Sequence, residues 1–123
     1  MGLKKYDTIK KSEEGQWMDV EYPDGTEDGA KIKLVGCDSK LYRNKIKKLA
    51  EKNRNKKKGL SVVETEKASM NMYVACTLDW EGIAYDDDTP IEFNRENVEK
   101  VYTEYPWLLN DVAEFIAERE NFL

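Results

Sequence analysis

Histidine is missing from all 123 residues. Its absence excludes a histidine general base, a Ser-His-Asp triad and every histidine-ligated metal site. Cysteine is scarce as well. Cys37 and Cys76 stand apart, neither in a C-x-x-C pair, and two thiols without histidine do not build a zinc site of the usual kind. Small disulfide scaffolds carry more cysteines, so reduced, buried thiols are the expectation, with a Cys37–Cys76 bridge left open. No run of about 18 apolar residues occurs, so no membrane-spanning helix is expected. The opening stretch MGLKKYDTIKKSEEGQW holds lysines but no apolar segment of a secretory leader, and Tyr6 stands where N-myristoylation wants a small hydroxyl residue. The phosphate loop G-x-x-x-x-G-K-[ST], the G-x-S-x-G elbow and the G-x-G-x-x-G turn are all absent. The chain is therefore expected to be non-enzymatic, without metal or cofactor, soluble and intracellular.

What the sequence does have is charge. Asp, Glu, Lys and Arg make up 37% of it, against 40% hydrophobic and 11% aromatic residues, and the formal net charge is -5. Such a composition is globular, and the length suits one domain that buries roughly two-thirds of its unfolded surface. The charge is unevenly placed. Residues 40–58 hold ten Lys or Arg and one acid, Glu51, whereas Asp79 to Leu123 holds thirteen acids against Arg95, Lys100 and Arg119. The basic stretch is suited to phosphates, to an acidic protein or to plain solvent, and the polarity permits head-to-tail self-association. A pI near 4.9 argues against a dedicated nucleic-acid binder. Asp86-Asp87-Asp88 invites a calcium loop, but Ile91 and Asn97 stand where an EF-hand needs glycine and glutamate.

Residues 1–15 are polar and lysine-rich, and are expected to form a flexible lead-in to a single domain over 16–123. From Gln16 the pattern alternates, with Met18, Val20 and Tyr22 opposite Trp17, Asp19 and Glu21. Ile32 and Leu34 alternate with Lys31 and Lys33 beyond the turn residues Pro23-Asp24-Gly25, so 16–35 is expected to be a β-hairpin. Asp38 or Ser39 is a suitable N-cap for a basic helix over 39–55, closed by Lys56-Lys57-Lys58-Gly59. Ser61 with Glu64 forms a capping box for a second helix reaching Leu78 or Trp80, and Gly82 breaks it. Asn94 caps a third helix, and Pro106 begins a fourth that runs to about Arg119. The expected fold is α+β and mostly helical, an N-terminal hairpin packed on about four helices.

Three segments stand in one order. They are Gly36-Cys37-Asp38-Ser39 with Tyr42-Arg43, then Cys76-Thr77 with Trp80 and Gly82, then Pro106-Trp107 with Phe115-Ile116, Arg119 and Asn121-Phe122. With Tyr22-Pro23-Asp24-Gly25-Thr26 before them, they resemble the tail assembly chaperones of long-tailed, siphovirus-type bacteriophages and prophages, over nearly the whole chain from about residue 16. The resemblance implies a non-enzymatic protein of the host cytoplasm, not carried in the mature virion. Its partners would be the tape measure protein, which it keeps soluble, and the major tail tube protein, which it helps recruit.

A holdase for long amphipathic helices needs an apolar groove rimmed by charge. Such a groove is expected between helices over 61–80 and 107–119. Trp80, Trp107 and Phe115 would line or support it, unless they are plain core, and Met70 and Met72 would supply adaptable contacts. Tyr42 and Arg43 would position the basic helix, with Lys45, Lys48 and Lys52 as its charged contacts. The alternative is a small adaptor or regulator that binds nucleic acid or an acidic protein through residues 40–58.

Overall fold

The computed structural model describes residues 2–55 and 59–123. Its elements are α1 (Ile9–Glu14), β1 (Gln16–Asp19), β2 (Lys31–Leu34), α2 (Lys40–Asn55), α3 (Val62–Cys76), β3 (Thr77–Glu81), α4 (Arg95–Glu104) and α5 (Pro106–Ala117). Two 3-10 turns, Leu3–Tyr6 and Arg119–Phe122, flank them. The chain is 56% helical with one three-stranded antiparallel sheet, so the fold is α+β and mostly helical.

β1 and β2 pair with Gln16 opposite Leu34 and Met18 opposite Ile32. That register puts Met18, Val20, Ile32 and Leu34 on the buried face and leaves Lys31 and Lys33 half-exposed. The hairpin loop closes as its residues suggest. Asp24 accepts from the Thr26 N–H and hydroxyl, and Gly25 takes a positive φ of 87°.

Helix starts follow the capping residues. Ser39 accepts from the Tyr42 N–H, Ser61 from that of Glu64 and Asn94 from that of Asn97. Each removes one orphan donor from a first turn. Pro106 opens α5, where its missing N–H costs nothing. Of the two cap candidates before α2, Ser39 takes the role, and Asp38 is engaged elsewhere. The lysine run 56–58, expected to close α2, lies outside the described residues.

The second helix is shorter than its pattern suggests. α3 stops at Cys76, and Thr77–Glu81 forms β3 on the free edge of β2. The hairpin thus becomes a three-stranded sheet with β2 at its centre. The ladder shifts between Lys33 and Leu34, so Leu34 faces Thr77 and Ile32 faces Trp80. This irregularity lets Thr77 and Trp80, three residues apart, both turn inward. Helical spacing through Val74, Leu78 and their neighbours is mimicked by a strand of this kind.

One core joins the sheet to α3, α4 and α5, with Ile32, Leu34, Cys76, Val98, Tyr102, Val112 and Ile116 at or near full burial. The stretch 1–15, expected as a lead-in, carries a turn and α1. Glu13 accepts from the Lys40 N–H at the head of α2, and Ser12 offers its carbonyl to the Gly36 N–H. Ser12 is buried, and its hydroxyl has no hydrogen-bond partner among the described residues. A Cβ at Gly36 would press on the Ser12 side chain and come within 3.0 Å of the Phe122 ring.

Two substitutions test this contact. Gly36→Ala should destabilise the protein by about 1–3 kcal/mol in urea unfolding, because the site is already filled. Ser12→Ala should be neutral or stabilising, because it removes an unsatisfied buried hydroxyl, and it should recover part of the Gly36→Ala loss. A Gly36→Ala protein as stable as the parent would contradict the close approach.

Candidate partner-binding surfaces

The nine residues singled out from the sequence fall on separate parts of the molecule. Tyr42, Arg43, Lys45, Lys48 and Lys52 lie on α2, which contains no buried residue and packs chiefly on α3. Lys45, Lys48, Leu49 and Lys52 line its seam with Ala68, Asn71 and Met72 of α3. Tyr42 and Arg43 border a different dent, with Ile46 and Lys47. Met70 is half-buried against the core.

The three aromatics expected to share a groove do not share one. Trp80 is on β3 and buried. Its indole N–H donates to the Ile91 carbonyl at 3.0 Å, and Phe93 meets its ring edge-on at 5.4 Å. It belongs to the core, which is the alternative stated for it. Phe115 is half-buried, stacks edge-on against Phe122 at 5.6 Å, and borders a cleft at the β1–α5 side. Five carboxylates line that cleft: Asp19, Glu21, Asp111, Glu114 and Glu118. Burial, followed by the charges of Glu114 and Glu21, raises the Asp111 carboxyl above its ordinary value.

Trp107 lines an apolar groove of about 200 Å³ together with Tyr22, Ile83, Tyr85, Ile91 and Tyr105. The groove is built where the β1 extension, the loop after β3 and the α4–α5 junction meet. Tyr22 and Trp107 contact edge-on at 6.0 Å, and Tyr85 and Tyr105 are tilted at 6.4 Å. The Tyr22 hydroxyl donates to Asp28 at 2.8 Å, and burial together with that carboxylate pushes its pKa up to about 12. The loop that supplies Ile83 and Tyr85 is held as a small hairpin. Ile91 N–H bonds to the Ile83 carbonyl, Tyr85 N–H to that of Thr89, and Asp86 accepts from the Asp88 N–H. The acidic triplet therefore shapes a turn, and no three His, Cys, Asp or Glu side chains among the described residues are placed to hold a metal ion. A depression of about 610 Å³ shares Tyr22, Ile83 and Tyr85 with the groove and reaches Asp28, Asp86 and Asp87. The result is an aromatic floor with an acidic rim.

This groove was not legible in the sequence beyond Trp107. Its tyrosines stand in loops and at a helix junction, where no periodicity marks a shared face. The nearest signal was a single tyrosine in or beside each set of turn residues, Tyr22 before Pro23, Tyr85 within 82–90 and Tyr105 before Pro106.

The motif residues prove to be structural. Asp38 receives two hydrogen bonds from Arg119, Nε at 2.8 Å and Nη2 at 3.0 Å, and a third from the Thr8 hydroxyl. This clasp ties both ends of the chain to the head of α2. Thr77 Oγ1 lies 2.7 Å from the Tyr102 hydroxyl, and Asn121 donates to the Phe115 carbonyl. Cys37 and Cys76 are both free thiols. Burial pushes the Cys76 thiol up to about 12, so it stays protonated and unreactive. No described helix is long and apolar enough to cross a membrane.

With that geometry in place, residues 37–122 match a family model described as YdaY prophage protein. No curated protein and no solved structure matches the chain. The matched segment spans the Asp38–Arg119 pair of the clasp, the α3–β3 junction and the closing turn, and leaves out Thr8, α1 and the β1–β2 hairpin.

The clasp sets a pH dependence. The Arg119 hydrogen bonds, then that of Thr8, hold the Asp38 carboxyl below its ordinary value of 3.8. The stabilisation is full above the unfolded value and is lost as the pH falls through the lowered folded one. The Tm difference between the parent and Asp38→Asn should therefore be largest near neutrality and shrink below about pH 4. A difference that stays constant down to the acid limit would remove the clasp from the account.

Proposed function

The chain belongs to the YdaY prophage protein family, and on that footing we propose that it is a non-enzymatic tail assembly chaperone of the host cytoplasm, absent from the mature virion. Its client would be the tape measure protein, held soluble while tail tube subunits are recruited. The observation that carries the reading is the aromatic groove around Trp107 with its acidic rim. Rigid aromatic walls give large apolar contact at low side-chain entropy cost, and a helix laid into such a groove buries the stripe that would otherwise aggregate. Acids at the rim favour clients whose apolar stripe is flanked by Lys and Arg, and keep the unloaded groove soluble. The phage or prophage origin follows from family membership. The resemblance of the ordered segments to tail assembly chaperones supplies the particular client.

Co-expression provides the test. The tape measure protein encoded in the same prophage should move from the pellet to the soluble fraction when this chain is present. Trp107→Ala and Tyr85→Ala should abolish that transfer while leaving the fold intact by circular dichroism. Trp80→Ala should instead unfold the domain, with a loss of about 3–5 kcal/mol expected for a buried aromatic. If the tape measure protein is equally insoluble with and without the chain, the chaperone function fails.

A further inference from the structure

Among the described residues, the side-chain ion pairs are Lys31–Glu81, Lys100–Glu104 and Arg119–Asp38, and none involves a cation of the basic helix α2. The charge of Arg43, after the hydrogen bonds of Arg119 and Thr8, does help to lower the Asp38 carboxyl. Lys40, Arg43, Lys47 and Arg54 recur at spacings of three, four and seven, so they form one stripe along the helix. All four are exposed. The stripe runs about 21 Å at 1.5 Å per residue. Beside it lies a dent of about 420 Å³ formed by Tyr42, Arg43, Asn44, Ile46 and Lys47. Ile46 is 40% exposed on that face, and Tyr42 is half-buried beneath it. Farther along the α2–α3 pair, Val62 and Val63 are more than 70% exposed at the start of α3.

We propose that the outer face of α2 docks an acidic amphipathic helix of a second protein. The chemistry is that of a groove with a basic rim. An apolar side chain of the partner enters the Tyr42–Ile46 dent, and carboxylates on either side meet Lys40, Arg43 and Lys47. A phosphate backbone has no apolar group for the dent to receive, and the aromatic that lines it, Tyr42, is half-buried and so poorly presented to stack a base. An acidic helix uses both the dent and the stripe. The surface is formed by elements other than those of the Trp107 groove, so the molecule carries two docking surfaces of opposite rim charge. The second does not depend on the client assigned to the first.

The experiment uses the full chain and a synthetic helical peptide of about 20 residues, with leucines at i, i+3, i+4 and i+7 and glutamates flanking them. Fluorescence anisotropy at about 50 mM salt should show saturable binding that weakens as salt rises. Arg43→Glu with Lys47→Glu should weaken it by about tenfold or more, and Ile46→Ser should weaken it without altering the salt slope. These positions are exposed, so circular dichroism of each variant should be unchanged. Trp107→Ala should bind the peptide normally, which separates this surface from the groove. The proposal is overturned if the peptide fails to bind, if its glutamine counterpart binds equally, or if the charge-reversed variant binds as the parent does. Tighter binding of a short DNA duplex, or self-association abolished by the same substitutions, would also overturn it in favour of nucleic acid or a second copy.

Discussion

Thr77 stands where α3 ends and β3 begins with no loop between them. Its hydroxyl bonds to the Tyr73 carbonyl behind it and meets the Tyr102 hydroxyl across the core. Tyr102 is about 1% exposed, and burial raises its pKa, so its proton is kept for that bond. With the Thr77 hydroxyl donating to Tyr73, its oxygen is free to accept from Tyr102, which would otherwise be a costly buried hydroxyl without a partner. The pair therefore holds α4 against the α3–β3 junction and fixes the direction in which α3 leaves the core. Because β3 must then complete the sheet beside β2, the inner half of α3 is buried and the outer half is not.

That division produces the charge geometry. α2 packs along α3 and keeps most of its cations exposed, whereas carboxylates gather around the β1–α5 cleft and the rim of the aromatic groove. Exposed charges separated by more than about 8 Å are largely screened at physiological salt. Among the described residues, no ion pair joins an α2 cation to these carboxylates. A net charge of -5 is a sum over regions that act separately.

Much of the architecture was legible because local chemistry specifies it. Ser39, Ser61 and Asn94 mark helix starts by their side-chain acceptors, Pro106 by its fixed φ, and the hairpin by its period of two. The α3–β3 junction was misread because a shifted ladder gives a strand an inward spacing of three, which periodicity assigns to a helix. The segment around Asp38 and the one around Arg119 were recognised as a pattern, yet their pairing spans 81 positions and has no local signature. Residues of this kind hold the fold by contacts between distant segments.

By itself the sequence determined where the hairpin and the four longer helices begin, which of their faces are apolar, that histidine chemistry is excluded and that charge is segregated along the chain. Each of these is a property of neighbours within a few residues, where backbone geometry alone sets the contacts. Only the tertiary structure decided that Trp80 is core while Trp107 is a groove wall, and that no α2 cation makes a side-chain ion pair among the described residues. Those outcomes depend on which distant segments meet. Tyr22, Tyr85, Tyr105 and Trp107 become one surface because a loop, a strand end and a helix junction close on the same side of the sheet.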